Sequence, residues 1–195
     1  MSKNFVWEIG FDFDANADPN NDNLPFLGND LVRVVDGVSV AMGDPLNLHV
    51  GDQISFYVFN ATAEASTQNY SIESGLFTFF EADGASTPYP FSQQAAIVAD
   101  GPGPITLSPN IGSSSATIQI PSLGQAATTA PSFAFQSDLP RWEVISTCLP
   151  LAVPGSFEFT FSLTVQGPNG TTGTVTKPFR VDPEMIVEAP PTPAI

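Results

Sequence analysis

Histidine and cysteine occur once each in these 195 residues, as His49 and Cys148, and Lys and Arg together number only five. These scarcities remove whole classes of chemistry by count. A type-1 copper centre takes two His and a Cys. The phrase 49-HVGDQISFYVFN-60 has the look of a cupredoxin strand, but one His cannot supply two ligands, and His49 reads as a structural or surface residue. A Ser or Cys nucleophile needs a base, normally His, within hydrogen-bond reach. With one His and no G-x-S-x-G elbow, there is no triad to assemble. Cys148 cannot form an internal disulfide and reads as a buried thiol at a strand end. No Gly-rich phosphate loop with a following Lys is present. Also missing are an apolar run of membrane length, an N-terminal signal with a cleavage pattern, and any long stretch of apolar residues spaced three and four apart. The location expected from these absences is a bacterial-type cytoplasm, where the N-x-S/T triplets at Asn60, Asn69 and Asn169 have no role.

Basic residues are outnumbered by 20 Asp and Glu, which gives a net charge of −15. Such a field repels phosphate backbones and anionic lipid, so neither nucleic acid nor a membrane surface is an expected partner. It favours cations. The charged fraction is nevertheless only 13%, about half the usual value of roughly 25%.

Phe, Pro and Gly are abundant instead. Sixteen Phe within a 42% hydrophobic composition provide a large aromatic core, and 19 Pro with 15 Gly interrupt the chain every few residues. Period-2 alternation is clean at both ends. Phe5, Trp7, Ile9, Phe11 and Phe13 share one face of a strand, and Phe157, Phe159, Phe161, Leu163 and Val165 share one face of another. Between them the pattern predicts strands over Leu31–Val40 (broken at Asp36-Gly37), Ile54–Phe59 after a turn at Gly51-Asp52, 70–81 as a strand pair or one bulged near Gly75, Ala95–Ala99, Ala116–Ile120 and Arg141–Thr147. Thr174–Val181 follows 166-QGPNGTTG-173 as a hairpin partner, with Pro178 marking an edge or bulge. The expected fold is all-β: one sandwich domain over 1–188, Ig-like or jelly-roll-like, of about eight to eleven short antiparallel strands with long loops. The uncharged stretch 101–137 is loop-rich, and 189–195 is a disordered Pro-rich tail.

Three sites invite chemistry. Asp12, Asp14, Asn16 and Asp18 follow D-x-D-x-N-x-D, and hard-oxygen ligands at alternate positions suit calcium. An EF-hand is excluded because Ala17 and Asn23 stand where Gly and Glu are needed. A sandwich-edge calcium site drawn from Asp12, Asp14, Asn16, Asp18, Asn20 and Asp22 remains, against a solvated loop of Asx turns. No other cofactor is expected. Asp83, Tyr89, Phe91 and Trp142 are the candidate carbohydrate contacts: the loop-like stretch 83-DGASTPYPF-91 and the Trp could stack on a sugar ring, unless these rings complete the core. Finally, Glu64, Glu73, Glu81, Asp83 and Glu143 offer carboxylates from which a hydrolase pair could be drawn.

In the order of its pieces the chain resembles the PixA/AidA-type bacterial inclusion-body proteins. The pieces are the alternating strand Phe5–Phe13, 18-DPNND-22, 50-VGDQISF-56, the alternating strand Phe157–Val165, and 180-RVDPEMIV-187. They cover the two ends and leave about 60–140 unplaced. The resemblance implies an abundant cytoplasmic β-sandwich without catalytic residues. The leading expectation is therefore a non-enzymatic protein that forms homo-oligomers and binds a ligand, its association strengthened by calcium or mild acid. The alternatives are a lectin-like module, calcium-assisted, and a carboxylate-pair hydrolase.

Overall fold

Alternating apolar residues become strands, and Pro and Gly separate them. The computed structural model describes residues 2–11, 13, 24–25, 31–35, 38–40, 46–60, 69–81, 87–92, 94–97, 105–125, 128–131, 138–169, 173–181 and 184–189. Within them the chain runs β1 (Asn4–Phe11), β2 (Leu24–Pro25), β3 (Leu31–Val35), β4 (Val38–Val40), β5 (Leu46–His49) and β6 (Gln53–Asn60). It continues through β7 (Ser71–Glu81), β8 (Ala95–Ile97), β9 (Ile105–Leu107), β10 (Asn110–Ile111), β11 (Ser115–Ile120) and β12 (Gly124–Gln125). Last come β13 (Thr128–Pro131), β14 (Asp138–Pro150), β15 (Gly155–Asn169), β16 (Gly173–Val181) and β17 (Glu184–Glu188). No helix occurs among the described residues.

The protein is an all-β sandwich. Sheet A has the order β13-β14-β6-β1-β3-β4, and sheet B the order β10-β11-β7-β15-β16-β2, with β12, β17 and β5 attached to it. Strands β8 and β9 form a separate hairpin. The strands outnumber the eight to eleven expected, because the stretches read as loops contain short strands of two to four residues. Pairing is also not wholly antiparallel: β1 runs parallel to β6, β16 to β2, and β17 to β5. Such pairs join segments distant in sequence, which local turn signals cannot report.

The two alternating end strands face each other across the core. Trp7 meets the Phe159 ring edge-on at 4.9 Å and lies parallel to Phe56 at 5.7 Å. Phe77 stacks on Phe161 at 4.1 Å. Phe5, Trp7, Ile9, Phe11 and Phe13 are all buried, as are Phe157, Phe159, Phe161, Leu163 and Val165. Residues 71–81 form one continuous strand. Its register against β15 slips between Thr164 and Val165, close to Gly75. A side chain at Gly75 would lie 2.9 Å from Leu163 Cδ2 and 3.1 Å from Ile120 Cβ, so glycine lets β7 approach both neighbours.

Where 50-VGD-52 occurs, the chain makes a tight turn between β5 and β6. The Asp52 N–H donates to the His49 carbonyl at 3.0 Å, and Gly51, third in the turn, has φ of 98°. This is a type II turn, which needs positive φ at that position. The Asp52 carboxylate, 4% exposed as a residue, then accepts the Lys3 N–H at 2.8 Å and the His49 N–H at 3.0 Å. Its backbone carbonyl accepts the Leu151 N–H at 2.8 Å, and the Val50 N–H donates to the Glu188 carbonyl at 2.9 Å. One short phrase thus ties the start of β1, the ends of β5 and β17, and the segment after β14.

Candidate functional site

The single His belongs to this knot. Its Nε2 lies 3.3 Å from Glu188 Oε2 and its Nδ1 lies 3.8 Å from Asp52 Oδ2, with the side chain 43% exposed. His49 therefore bridges two carboxylates at a strand end, as a structural residue would.

The aromatic candidates lie inside. Tyr89 and Phe91 are 6% and 4% exposed, and their rings contact each other at 5.5 Å and Phe79 at 6.1 and 5.6 Å. Trp142 is 4% exposed, stacks on Phe11 at 6.0 Å and donates its indole N–H to the Gly124 carbonyl at 3.3 Å. The structure thus places these three rings in the core and not on an open stacking platform. Residues 89–91 fold back because the Ala152 N–H donates to the Pro90 carbonyl and Phe91 bridges to Leu151. Burial of the Tyr89 phenol pushes its pKa up from 10.0 to about 12.

Asp12, Asp14, Asn16, Asp18, Asn20, Asp22 and Asp83 lie outside the described residues, as does Glu64. Among the described residues no group of three or more His, Cys, Asp and Glu is placed to hold a metal ion. Glu73 and Glu81 are on β7 in sheet B, whereas Glu143 is on β14 in sheet A. Cys148 is on β14.

The outer faces of the two sheets differ. On sheet A, Glu8 is only 2% exposed, and Ser55 and Phe59 are buried. The Arg141 guanidinium lies 4.0 Å from the centre of the Tyr57 ring on the same face. That face is shielded around Glu8, Ser55 and Phe59, while Val6, Tyr57 and Arg141 keep partial exposure.

The outer face of sheet B is open, and the sequence reading missed it. Strand register places its side chains in rows across β11, β7, β15 and β16: Ser115–Phe80–Glu158, then Thr117–Thr78–Thr160, then Gln119–Leu76–Ser162–Arg180, then Ser74–Thr164–Pro178. Phe80 is 40% exposed and Leu76 38% exposed. They sit four residues apart on the same side of β7. Around them are hydroxyls and one amide, with Glu158 of β15 directly beside Phe80 and Arg180 of β16 beside Ser162. A shallow depression of about 260 Å³ opens among Ser74, Gly75, Leu76, Gln119, Ser162, Leu163 and Thr164. The signal was present in sequence, because Glu158, Thr160, Ser162, Thr164 and Gln166 alternate with the apolar residues of β15.

Backbone groups in the middle of the sheet are already paired, so this face can recognise a partner only through side chains. It offers hydrogen-bonding hydroxyls and an amide beside two apolar contacts, and no general acid–base pair. No family model, no curated protein and no solved structure matches this chain.

Proposed function

We propose that this is a non-catalytic binding protein that makes its contacts through the outer face of sheet B. The observation that carries this reading is the pair Leu76 and Phe80, held exposed in a Ser/Thr/Gln-rich field where Glu158 stands beside Phe80 and Arg180 ends the row of Leu76, on a molecule of net charge −15. An exposed apolar pair rimmed by polar groups marks contact surfaces. A near-neutral area is also where an acidic protein repels a partner least.

Pairing between sheet edges has less support. Among the described residues the end strands β13, β4, β10 and β2 have four residues or fewer, with Pro131 in β13 and Pro25 in β2, and β16, which β2 covers only at Phe179 and Arg180, carries Pro178. Short edges containing proline are how sheets resist edge-to-edge association. Were a homo-oligomer to form, the exposed face would offer the contact, because a second copy there would cover Leu76 and Phe80.

Cysteine scanning tests the reading. Thr78→Cys in a Cys148→Ser background places one thiol at the centre of the face, and Ser113→Cys in the same background is an exposed control away from it. Maleimide labelling of Thr78→Cys is expected to be at least severalfold slower in native cell extract than in dilute purified protein, with the control unchanged. Equal rates at Thr78→Cys overturn the proposal. Protection that returns in purified protein at high concentration identifies a second copy as the partner.

A further inference from the structure

We infer that the ligand of this face is a neutral oligosaccharide lying along β7, with one sugar ring seated in the depression bordered by Ser74, Gln119, Ser162 and Thr164 and a later ring against Phe80. This rests on the reading that the outer face of sheet B is the contact surface, and it names the chemistry that surface takes.

Four observations converge. The first is polarity. The depression's lining contains three hydroxyl side chains, one carboxamide and Leu76, and no charged residue. Hydroxyl and amide groups donate and accept at once, which matches a ligand whose own groups are hydroxyls. A strong anion would find no cation in the lining and would meet the net charge of −15. A cation would find no carboxylate there.

The second is spacing. Neighbouring strands lie about 4.8 Å apart, and alternate residues on one strand about 6.7 Å apart. The side chains of Gln119, Leu76 and Ser162, one row deep across three strands, therefore form an array on the scale of a single sugar ring. Along β7 the open positions Ser74, Leu76, Thr78 and Phe80 span roughly 20 Å, the reach of several linked rings and not of one. Apolar patches at Leu76 and Phe80 suit the C–H faces of sugars, as aromatic and aliphatic side chains do in small-molecule sites.

The third is size. Strands β11, β7, β15 and β16 present a field of roughly 15–20 Å by 20 Å, about 300–400 Å². That is about half of the roughly 800 Å² per partner buried in a stable protein–protein interface, yet ample for an oligosaccharide. The depression, about 260 Å³, is just below the range of drug-sized ligand pockets, roughly 300–1,000 Å³, and is on the scale of one ring.

The fourth is that the face is already built. Its side chains stand on β7 and β15, the two longest-paired strands of sheet B, which are held from beneath by Phe77, Phe79, Phe159 and Phe161, all buried. A binding surface on a rigid sheet loses little ordering entropy when it engages.

The test uses the full chain and isothermal titration with cellotriose, laminaritriose, chitotriose and mannotriose, their monosaccharides, and trigalacturonate as the charged comparison. At least one neutral trisaccharide is expected to bind, its monosaccharide more weakly, and trigalacturonate not at all. Gln119→Ala is expected to weaken trisaccharide binding about tenfold, the loss of one well-made hydrogen bond. Phe80→Ala should weaken the trisaccharide severalfold and leave the monosaccharide unaffected. Both positions are exposed, so unchanged thermal unfolding verifies that the variants fold. If no neutral oligosaccharide binds, or if binding survives both substitutions unchanged, the carbohydrate assignment is wrong. If Thr78→Cys is nonetheless protected in extract, the contact face stands and only its ligand class falls. If that protection is absent as well, both fall.

Discussion

Replacing Asp52 with Ala removes the only side chain that accepts both the Lys3 and the His49 backbone N–H groups, at 2.8 and 3.0 Å. Bonds from N–H groups to a charged acceptor contribute about 1.5–3 kcal/mol each when made, and leaving a buried donor unpaired costs about 1–3 kcal/mol. Lys3 is exposed, so its N–H regains water and most of that loss is recovered. The His49 N–H is partly buried and recovers less. The expected destabilisation is therefore about 2–4 kcal/mol. Asp52→Asn keeps the shape but has one acceptor oxygen, and should recover at most part of this. His49→Ala is the contrasting variant. It deletes only contacts of a 43% exposed imidazole with Asp52 and Glu188 and should cost under about 1 kcal/mol. Urea unfolding followed by tryptophan fluorescence measures all three, because Trp7 and Trp142 are both buried and report loss of the core. The reasoning is refuted if Asp52→Ala lies within about 0.5 kcal/mol of the parent, the range of an ordinary surface substitution. It is equally refuted if His49→Ala is as damaging, since the knot would then depend on the imidazole and not on the caps.

Other outcomes follow from the core. At Gly167 a Cβ would sit 2.6 Å from Phe13 Cζ and 2.8 Å from Tyr70 Cδ1, so Gly167→Ala must displace a ring and should cost about 1–3 kcal/mol in the same urea assay, with a changed near-UV circular dichroism spectrum. Phe77→Ala empties a fully buried site between Phe56 and Phe161 and should cost about 3–5 kcal/mol; a loss under about 1 kcal/mol would contradict the packing. Tyr89 has its pKa raised to about 12, so its phenol is neutral in the native state where an unfolded tyrosine, at about 10, ionises. Its contribution is complete below pH 10 and declines as pH rises from about 10 to about 12. Spectrophotometric titration of the parent against Tyr89→Phe should show one phenol ionising in that upper window.

The parts of the fold legible in sequence were those with one wet face and one dry face. β15 alternates because Glu158, Thr160, Ser162 and Thr164 face out while Phe157, Phe159 and Phe161 face in. β6 was legible as the strand Ile54–Phe59, but not through alternation. Its pattern in QISFYVFN is buried at six of eight positions, because sheet A is covered on both sides there. The parallel pairing of β1 with β6 joins Phe5 to Ile54 and Phe11 to Asn60, contacts for which no local signal exists. In sequence Tyr89, Phe91 and Trp142 could either stack on a sugar or complete the core, because 83-DGASTPYPF-91 is loop-like. Tyr89 and Phe91 are held in by hydrogen bonds between residues 90 and 152–153, and Trp142 by Phe11 and the Gly124 carbonyl, contacts which only the folded chain brings together. The open face of sheet B escaped for the opposite reason: Ser and Thr on alternate positions look like ordinary solvated surface until three strands align them in rows.

The position of β1 and β15 has a consequence for synthesis. β1 lies inside sheet A, and rings that cover its inner face come from segments far along the sequence: Phe159 of β15 against Trp7, and Trp142 of β14 and Phe179 of β16 against Phe11. At roughly 5–20 residues per second, Trp7 and Phe11 wait on the order of ten seconds on the ribosome without Phe159 or Phe179 to shield them. The sandwich cannot close over β1 until β14 to β16 emerge, so the nascent chain carries an incompletely covered aromatic strand until then. Output of folded protein should then depend on chaperone supply more than the stability of the finished sandwich would suggest. Slowing translation between β1 and β15 should lower the yield of folded protein.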